Sequence, residues 1–169
     1  QELIRANSLE DAKITAYHIG FVLGPCINAS GRLDTAARSL ALLNAKTKEE
    51  AARLAGDLTA LNQSRKALTE KGKEEAIRII ETTELKNDRV LVVYLPDCHE
   101  SLAGIIAGRI REKYHRPAFV LTGGETSAKG SGRSIESYSM YEELVKCADL
   151  MIQFGGHPMA AGLSIEEKI

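Results

Sequence analysis

Three short segments of this 169-residue chain combine glycine with residues able to hold an anion. In Gly155-Gly156-His157-Pro158-Met159-Ala160-Ala161-Gly162, paired glycines remove every Cβ at one point, so backbone N–H groups can approach a ligand closely. His157 adds a directional donor or acceptor. That pattern predicts a substrate-facing loop; a tight turn with an exposed histidine is the simpler alternative. Gly24-Pro25-Cys26-Ile27-Asn28-Ala29-Ser30-Gly31-Arg32 reads as a small-residue turn that presents the Arg32 guanidinium to a phosphate, with Asn28 placed to orient it or to bond the same anion. Lys129-Gly130-Ser131-Gly132-Arg133-Ser134 surrounds a second arginine with hydroxyls and suits a phosphate or sugar contact. Taken singly, an arginine beside glycine is more often a solvated loop residue.

His99 stands just ahead of a helix predicted from Ser101, where free N–H groups and the helix dipole favour an anion. The alternative is that His99 and Glu100 simply cap that helix. Cys98 is next to His99, but neighbours in sequence rarely point at one another, so a thiol nucleophile is not expected.

These segments need a frame. Residues 1–34 read as irregular, with short apolar stretches such as Ile19–Ile27. Asp34 or Thr35 can cap a short helix carrying Ala36, Ala37, Leu40 and Leu43. Thr47 with Glu50 forms a capping-box signature for a second, long helix, whose Leu54, Leu58, Leu61, Leu68, Ala76 and Ile79 recur every three or four residues to about Glu81. Such a rod, roughly 50 Å long, reads as a connector, and Arg65 and Gly72 interrupt its apolar stripe, which predicts an exposed middle. The period then changes. Arg89–Leu95 is a β-branched run closed by Pro96-Asp97; a helix follows over Ser101–Tyr114, strands over Ala118–Thr122 and Ser127–Ser134, a helix over Tyr138–Ala148 and a final strand over Ala161–Ile165. The fold class expected is α/β.

Net charge is −1 and the sequence pI is near 6.5, which excludes a protein that coats nucleic acid by bulk electrostatics. Affinity for a polyanion must be local, with Arg32, Arg133, Lys129 and Arg109 as the candidate cations. Three widely spaced cysteines, Cys26, Cys98 and Cys147, give neither a disulfide framework nor a zinc-site spacing. No apolar run is long enough for a signal-peptide core or a membrane span, so a cytoplasmic protein with no membrane partner is expected.

In their order, these motifs resemble a family. Asn28-Ala29-Ser30-Gly31-Arg32, a long helix, Cys98-His99-Glu100 ahead of Gly104-Ile105-Ile106-Ala107-Gly108-Arg109, then Ser131-Gly132-Arg133-Ser134 and Gly155–Gly162 are similar to the RecJ family of single-strand-specific exonucleases, in the DHH phosphoesterase superfamily. The resemblance runs from about His18 to Leu163. It implies the tail of a DHH catalytic domain over residues 1–46, a connecting helix over 47–83 and a small mixed α/β DHH-associated, substrate-binding domain over 84–169. The family holds Mn²⁺ or Mg²⁺ with aspartates and histidines of an N-terminal catalytic domain, including an Asp-His-His motif absent here, so no metal ligand is expected in this chain. The implied activity is 5′-to-3′ hydrolysis of single-stranded DNA in repair and recombination, with Arg32 and His157 as catalytic residues. Asn28, Gly31, His99, Ser131, Arg133, Ser134, Gly155 and Gly156 are the implied substrate-binding residues. The implied partners are single-stranded DNA and the DHH domain of the same polypeptide. The chain departs from the commoner pattern at Ser101, where glycine is usual. A phosphodiesterase acting on short oligonucleotides or cyclic dinucleotides, and a non-catalytic nucleic-acid-binding module, are the alternatives.

Overall fold

The computed structural model of the chain describes residues 1–124 and 126–166; the last three positions of the expected 84–169 domain, and Glu125 within it, lie outside the described residues. Two compact units are present, Gln1–Ala67 and Leu68–Ile169, and the boundary falls inside one helix.

The first unit is helical, which corrects the expectation of an irregular stretch over residues 1–34. It contains α1 (Glu2–Ala6), α2 (Ala16–His18), a π-helical turn (Ile19–Leu23), α3 (Gly24–Leu33), α4 (Ala37–Asn44) and the first half of α5 (Lys48–Thr82). The Gly24 N–H bonds the Ile19 carbonyl, five residues back, and that wide turn delivers Pro25 into the first turn of α3, where a residue without an N–H is tolerated. A Cβ on Gly24 would come within 2.8 Å of the Ile19 carbonyl oxygen, so glycine is required there.

Cys26, Ala29 and Ser30 form the buried stripe of α3. The Cys26 thiol donates to the Val22 carbonyl at 3.3 Å and accepts from Asn62 Nδ2 at 3.4 Å. Ser30 and Ser39 bring their hydroxyls within 2.7 Å of each other, and both donate to the Ile27 carbonyl. This shared network turns Ser39 inward. Leu40 and Leu43, carried on the same helix, stand 60% and 71% exposed.

Helix α5 starts as predicted: the Thr47 hydroxyl accepts the Glu50 N–H at 3.1 Å. Its middle is not uniformly exposed. Arg65 is half-buried, with Nε donating to Asn62 Oδ1 at 3.0 Å, and a Cβ on Gly72 would lie 2.6 Å from Ile106 Cδ1. Gly72 is thus a contact point, not a solvent-facing break.

The second unit holds the end of α5 and a five-stranded mixed sheet with strand order β1-β2-β3-β5-β4. Its elements are β1 (Leu91–Tyr94), α6 (Glu100–Tyr114), β2 (Ala118–Thr122), β3 (Ser127–Arg133), α7 (Met140–Val145), β4 (Gln153–His157) and β5 (Ala160–Glu166). β1 and β2 are parallel, joined by the α6 crossover, and the remaining pairs are antiparallel. Leu102, Ala103, Ile106, Ala107 and Ile110 of α6 are buried over β2 and β3. On the opposite face Phe119, Met140, Leu144 and Ala161 form a second cluster. The expected Tyr138–Ala148 helix shrinks to Met140–Val145, followed by a 3-10 turn at Ala148–Leu150, and β4 was not foreseen.

Candidate nucleic-acid interface

The site in the second unit is built by strand register. β3 pairs with β5 so that Arg133 faces Ala160, Ser131 faces Gly162 and Lys129 faces Ser164. β5 pairs in turn with β4, setting His157 opposite Ala160, Gly155 opposite Gly162 and Gln153 opposite Ser164. Directly opposed residues share a face, so three rows cross the sheet on the side of α6. Two strand spacings separate Arg133 from His157, about 10 Å. Between them the floor is bare. Gly155 and Gly162 are both exposed, a Cβ on Gly155 would meet nothing within 4 Å, and one on Gly162 would meet only the Gly130 carbonyl oxygen, at 3.7 Å.

The predicted loop is therefore a hairpin. Pro158 and Met159 form the turn between β4 and β5, and two backbone bonds tie that turn down: Ser134 N–H to the Met159 carbonyl at 2.9 Å, and Met140 N–H to the Pro158 carbonyl at 3.0 Å. The Met159 N–H donates to His157 Nδ1 at 3.3 Å. With Nδ1 used as an acceptor, the neutral ring carries its proton on Nε2, which becomes the donor available to a ligand. Gly156 has φ 156° and falls on the opposite face, where a Cβ would sit 2.4 Å from the Ala160 carbonyl oxygen. It is a backbone requirement of the turn.

Arg133 departs from expectation. Its guanidinium Nη1 donates to the Gly132 carbonyl at 2.7 Å and to Ser131 Oγ at 3.3 Å; its stem lies beside Gly108 of α6 and its guanidinium beside Gly104. The side chain is thus laid on a helix with its charged end held at the edge of the floor. Ser134 is 1% exposed and its hydroxyl donates to the Tyr138 carbonyl at 2.6 Å, so its side chain is committed to the turn after β3. Lys129 pairs with Glu100 at 2.5 Å, and Arg109 with Glu112 at 3.1 Å, so both of these expected groove cations have carboxylate partners.

His99 caps α6. Its Nδ1 accepts the Ser101 N–H at 3.3 Å and lies 2.8 Å from the Ser101 hydroxyl, so the serine that departs from the usual pattern fixes the ring. Cys98 next to it is half-buried, and burial raises its thiol pKa, which keeps the sulfur protonated and unsuited to nucleophilic attack.

In the first unit the expected turn at Asn28–Arg32 is helix α3. Helical spacing nonetheless groups these residues: Asn28, Gly31 and Arg32, at i, i+3 and i+4, share one side of α3, with Asn28 and Gly31 exposed and Arg32 half-buried. Among the described residues no group of three or more His, Cys, Asp or Glu side chains could hold a metal ion, and no helix is long and apolar enough to cross a membrane. The described residues do not fit a metal centre.

Residues 87–169 match the DHHA1 domain family. The single-stranded-DNA-specific exonuclease RecJ of Salmonella typhimurium is 40% identical over 98% of this chain, and the Bacillus subtilis protein of the same name is 34% identical over 98%. The chain spans about 30% and 21% of their lengths. The crystal structure of RecJ from Thermus thermophilus in complex with Mg²⁺ superposes with a TM-score of 0.84 at 32% identity, covering 98% of this chain and 26% of that one. A manganese-bound exonuclease RecJ gives 0.81 at 32% identity, covering 98% and 40%. With the mixed sheet and the long helix matched in these structures, the chain belongs to the RecJ family and carries a DHHA1 domain.

Proposed function

We propose that this chain supplies the substrate grip of a 5′-to-3′ exonuclease that degrades single-stranded DNA in repair and recombination. The observation that carries the reading is the row Arg133–Ala160–His157 beside the bare floor of Gly155 and Gly162. A guanidinium fork and a serine hydroxyl on one strand suit a phosphate at the 5′ end, and an imidazole Nε2–H two strands away suits a neighbouring phosphate or sugar oxygen. A floor without Cβ atoms lets a sugar-phosphate backbone approach closely. Arg32, with Asn28 and Gly31 on the same side of α3, supplies a separate phosphate contact. His99 adds a ring N–H at the start of α6. Ser134 and Gly156 serve by fixing the hairpin.

Trp is absent and aromatic residues make up only 5% of the chain, so strand preference rests on the width of the groove more than on base stacking. The Mn²⁺ or Mg²⁺ of the complete cytoplasmic enzyme belongs to the DHH catalytic domain of the same polypeptide, and this chain's part is to bind and orient.

Fluorescence anisotropy with a labelled single-stranded oligonucleotide and its duplex tests the reading. Tighter binding of the single strand, lost on Arg133→Ala and on His157→Ala, is the expected result. Equal binding of both nucleic acids, or binding indifferent to both substitutions, would overturn it.

A further inference from the structure

We infer that Gly104 of α6 is a positioning residue that selects for a 5′-terminal phosphate by leaving room for the Arg133 guanidinium and the Ser131 hydroxyl. The inference rests on the phosphate-binding reading of Arg133 and Ser131 given above. A Cβ at position 104 would lie 2.7 Å from Arg133 Nη2, 2.9 Å from Ser131 Oγ and 3.2 Å from Arg133 Cζ. All three atoms lie at the far ends of two neighbouring side chains, and none belongs to the backbone. The missing methyl therefore fixes where the fork and the hydroxyl stand and leaves the path of β3 untouched. One helical turn on, Gly108 has the opposite standing: a Cβ there would meet only Arg133 Cγ, at 3.9 Å, an ordinary contact with the stem. The two glycines thus share a helix and a side-chain neighbour but differ in which part of Arg133 they meet.

Glycine inside a helix is a poor helix former, and Gly104 lies mid-helix in the 15-residue α6. Alanine at 104 would improve local helix propensity while pushing the guanidinium and hydroxyl away from each other's bonding positions. Nη1 holds its place through bonds to Ser131 Oγ and the Gly132 carbonyl, at 3.3 and 2.7 Å, and a displaced fork loses that alignment. A fork so displaced still carries its charge. The loss falls on the directional recognition of a dianionic terminal phosphate, not on general attraction to a polyanion.

The test uses the full-length polypeptide that carries this chain, with EDTA present to prevent cleavage, and measures affinity for one oligonucleotide in 5′-phosphorylated and 5′-hydroxyl forms. Gly104→Ala should weaken binding of the phosphorylated strand by roughly tenfold, leave the hydroxyl strand near the parental affinity, and keep or raise the melting temperature. Gly108→Ala should match the parent on both strands. A Gly104→Ala protein that keeps the parental preference for phosphate, that weakens both strands equally, or that melts several degrees lower would overturn the inference, since the glycine would then be neutral or a packing position. A parental protein that binds single strands but shows no preference between the two termini overturns it as well. A parental protein that binds neither strand removes the phosphate-binding reading beneath it.

Discussion

Gly155 stands directly opposite Gly162 in the β4–β5 ladder, and neither lacks its side chain for want of space. Facing glycines weaken a strand pair, because each loses more conformational freedom on folding and has nothing to pack. Gly155→Ala should therefore hold or slightly raise the melting temperature while weakening single-strand binding several-fold. Gly156→Ala should do the reverse and cost about 1–3 kcal/mol of stability, since its Cβ would run into the Ala160 carbonyl. Thermal melts and anisotropy on the two variants, one residue apart, check the pair; equal effects on stability would remove Gly155 from the binding floor.

Arg133→Ala should lower affinity for single-stranded DNA about ten- to a hundredfold, as expected for losing about 1.5–3 kcal/mol of charge-assisted bonding. The slope of log affinity against log salt should flatten by about 0.7. Lysine should restore only part of the loss, because it lacks the planar fork. Stability should fall by at most about 1.5–3 kcal/mol, the worth of one charge-assisted bond to the Gly132 carbonyl. A variant that unfolds early yet binds normally while folded would mark Arg133 as structural.

The isolated chain should release no nucleotides from labelled single-stranded DNA in Mn²⁺, because among the described residues no carboxylate and histidine cluster could hold the ion. Incubation followed by gel analysis decides this, and stepwise release that persists through repeated purification would contradict it.

Tyr114 donates its hydroxyl to Glu81 at 2.6 Å, and burial, that bond and the nearby carboxylate charge push its pKa up to about 12 from an ordinary 10. A raised folded pKa means that the unfolded chain ionises first. The stabilisation is fully present below about pH 10 and is lost as pH climbs to about 12. The melting temperature of the parent should accordingly fall more steeply across that window than that of Tyr114→Phe, and parallel curves would show that the bond does not couple to folding.

Long, strongly periodic segments were readable from residues alone. The start of α5, the β1–α6–β2 crossover and β3 emerge near their expected bounds because apolar spacing, caps and β-branched runs agree there. The rest depended on contacts remote in sequence. Gly24-Pro25 and Gly31 read as turn formers, yet a π-helical turn carries the proline into α3, and the same glycine-containing run then follows helical spacing. β4 escaped notice because Gly155 and Gly156 are poor strand formers on an exposed edge, held by β5. Gly72 reads as a break until Ile106 is brought against it, and the bed of Arg133 exists only because α6 crosses β3 at Gly104.

The edge position of β4 has a thermal consequence. The strand that carries His157 is hydrogen-bonded to a partner on one side alone, through β5, and two of its five residues are glycine. Edge segments of this kind open at far lower free energy than central strands. On warming, β4 should fray from the sheet while the central strands β2, β3 and β5 remain paired, carrying the imidazole away from Arg133. The grip on DNA is then lost at temperatures where circular dichroism still reports a folded protein, and it returns on cooling without any refolding step.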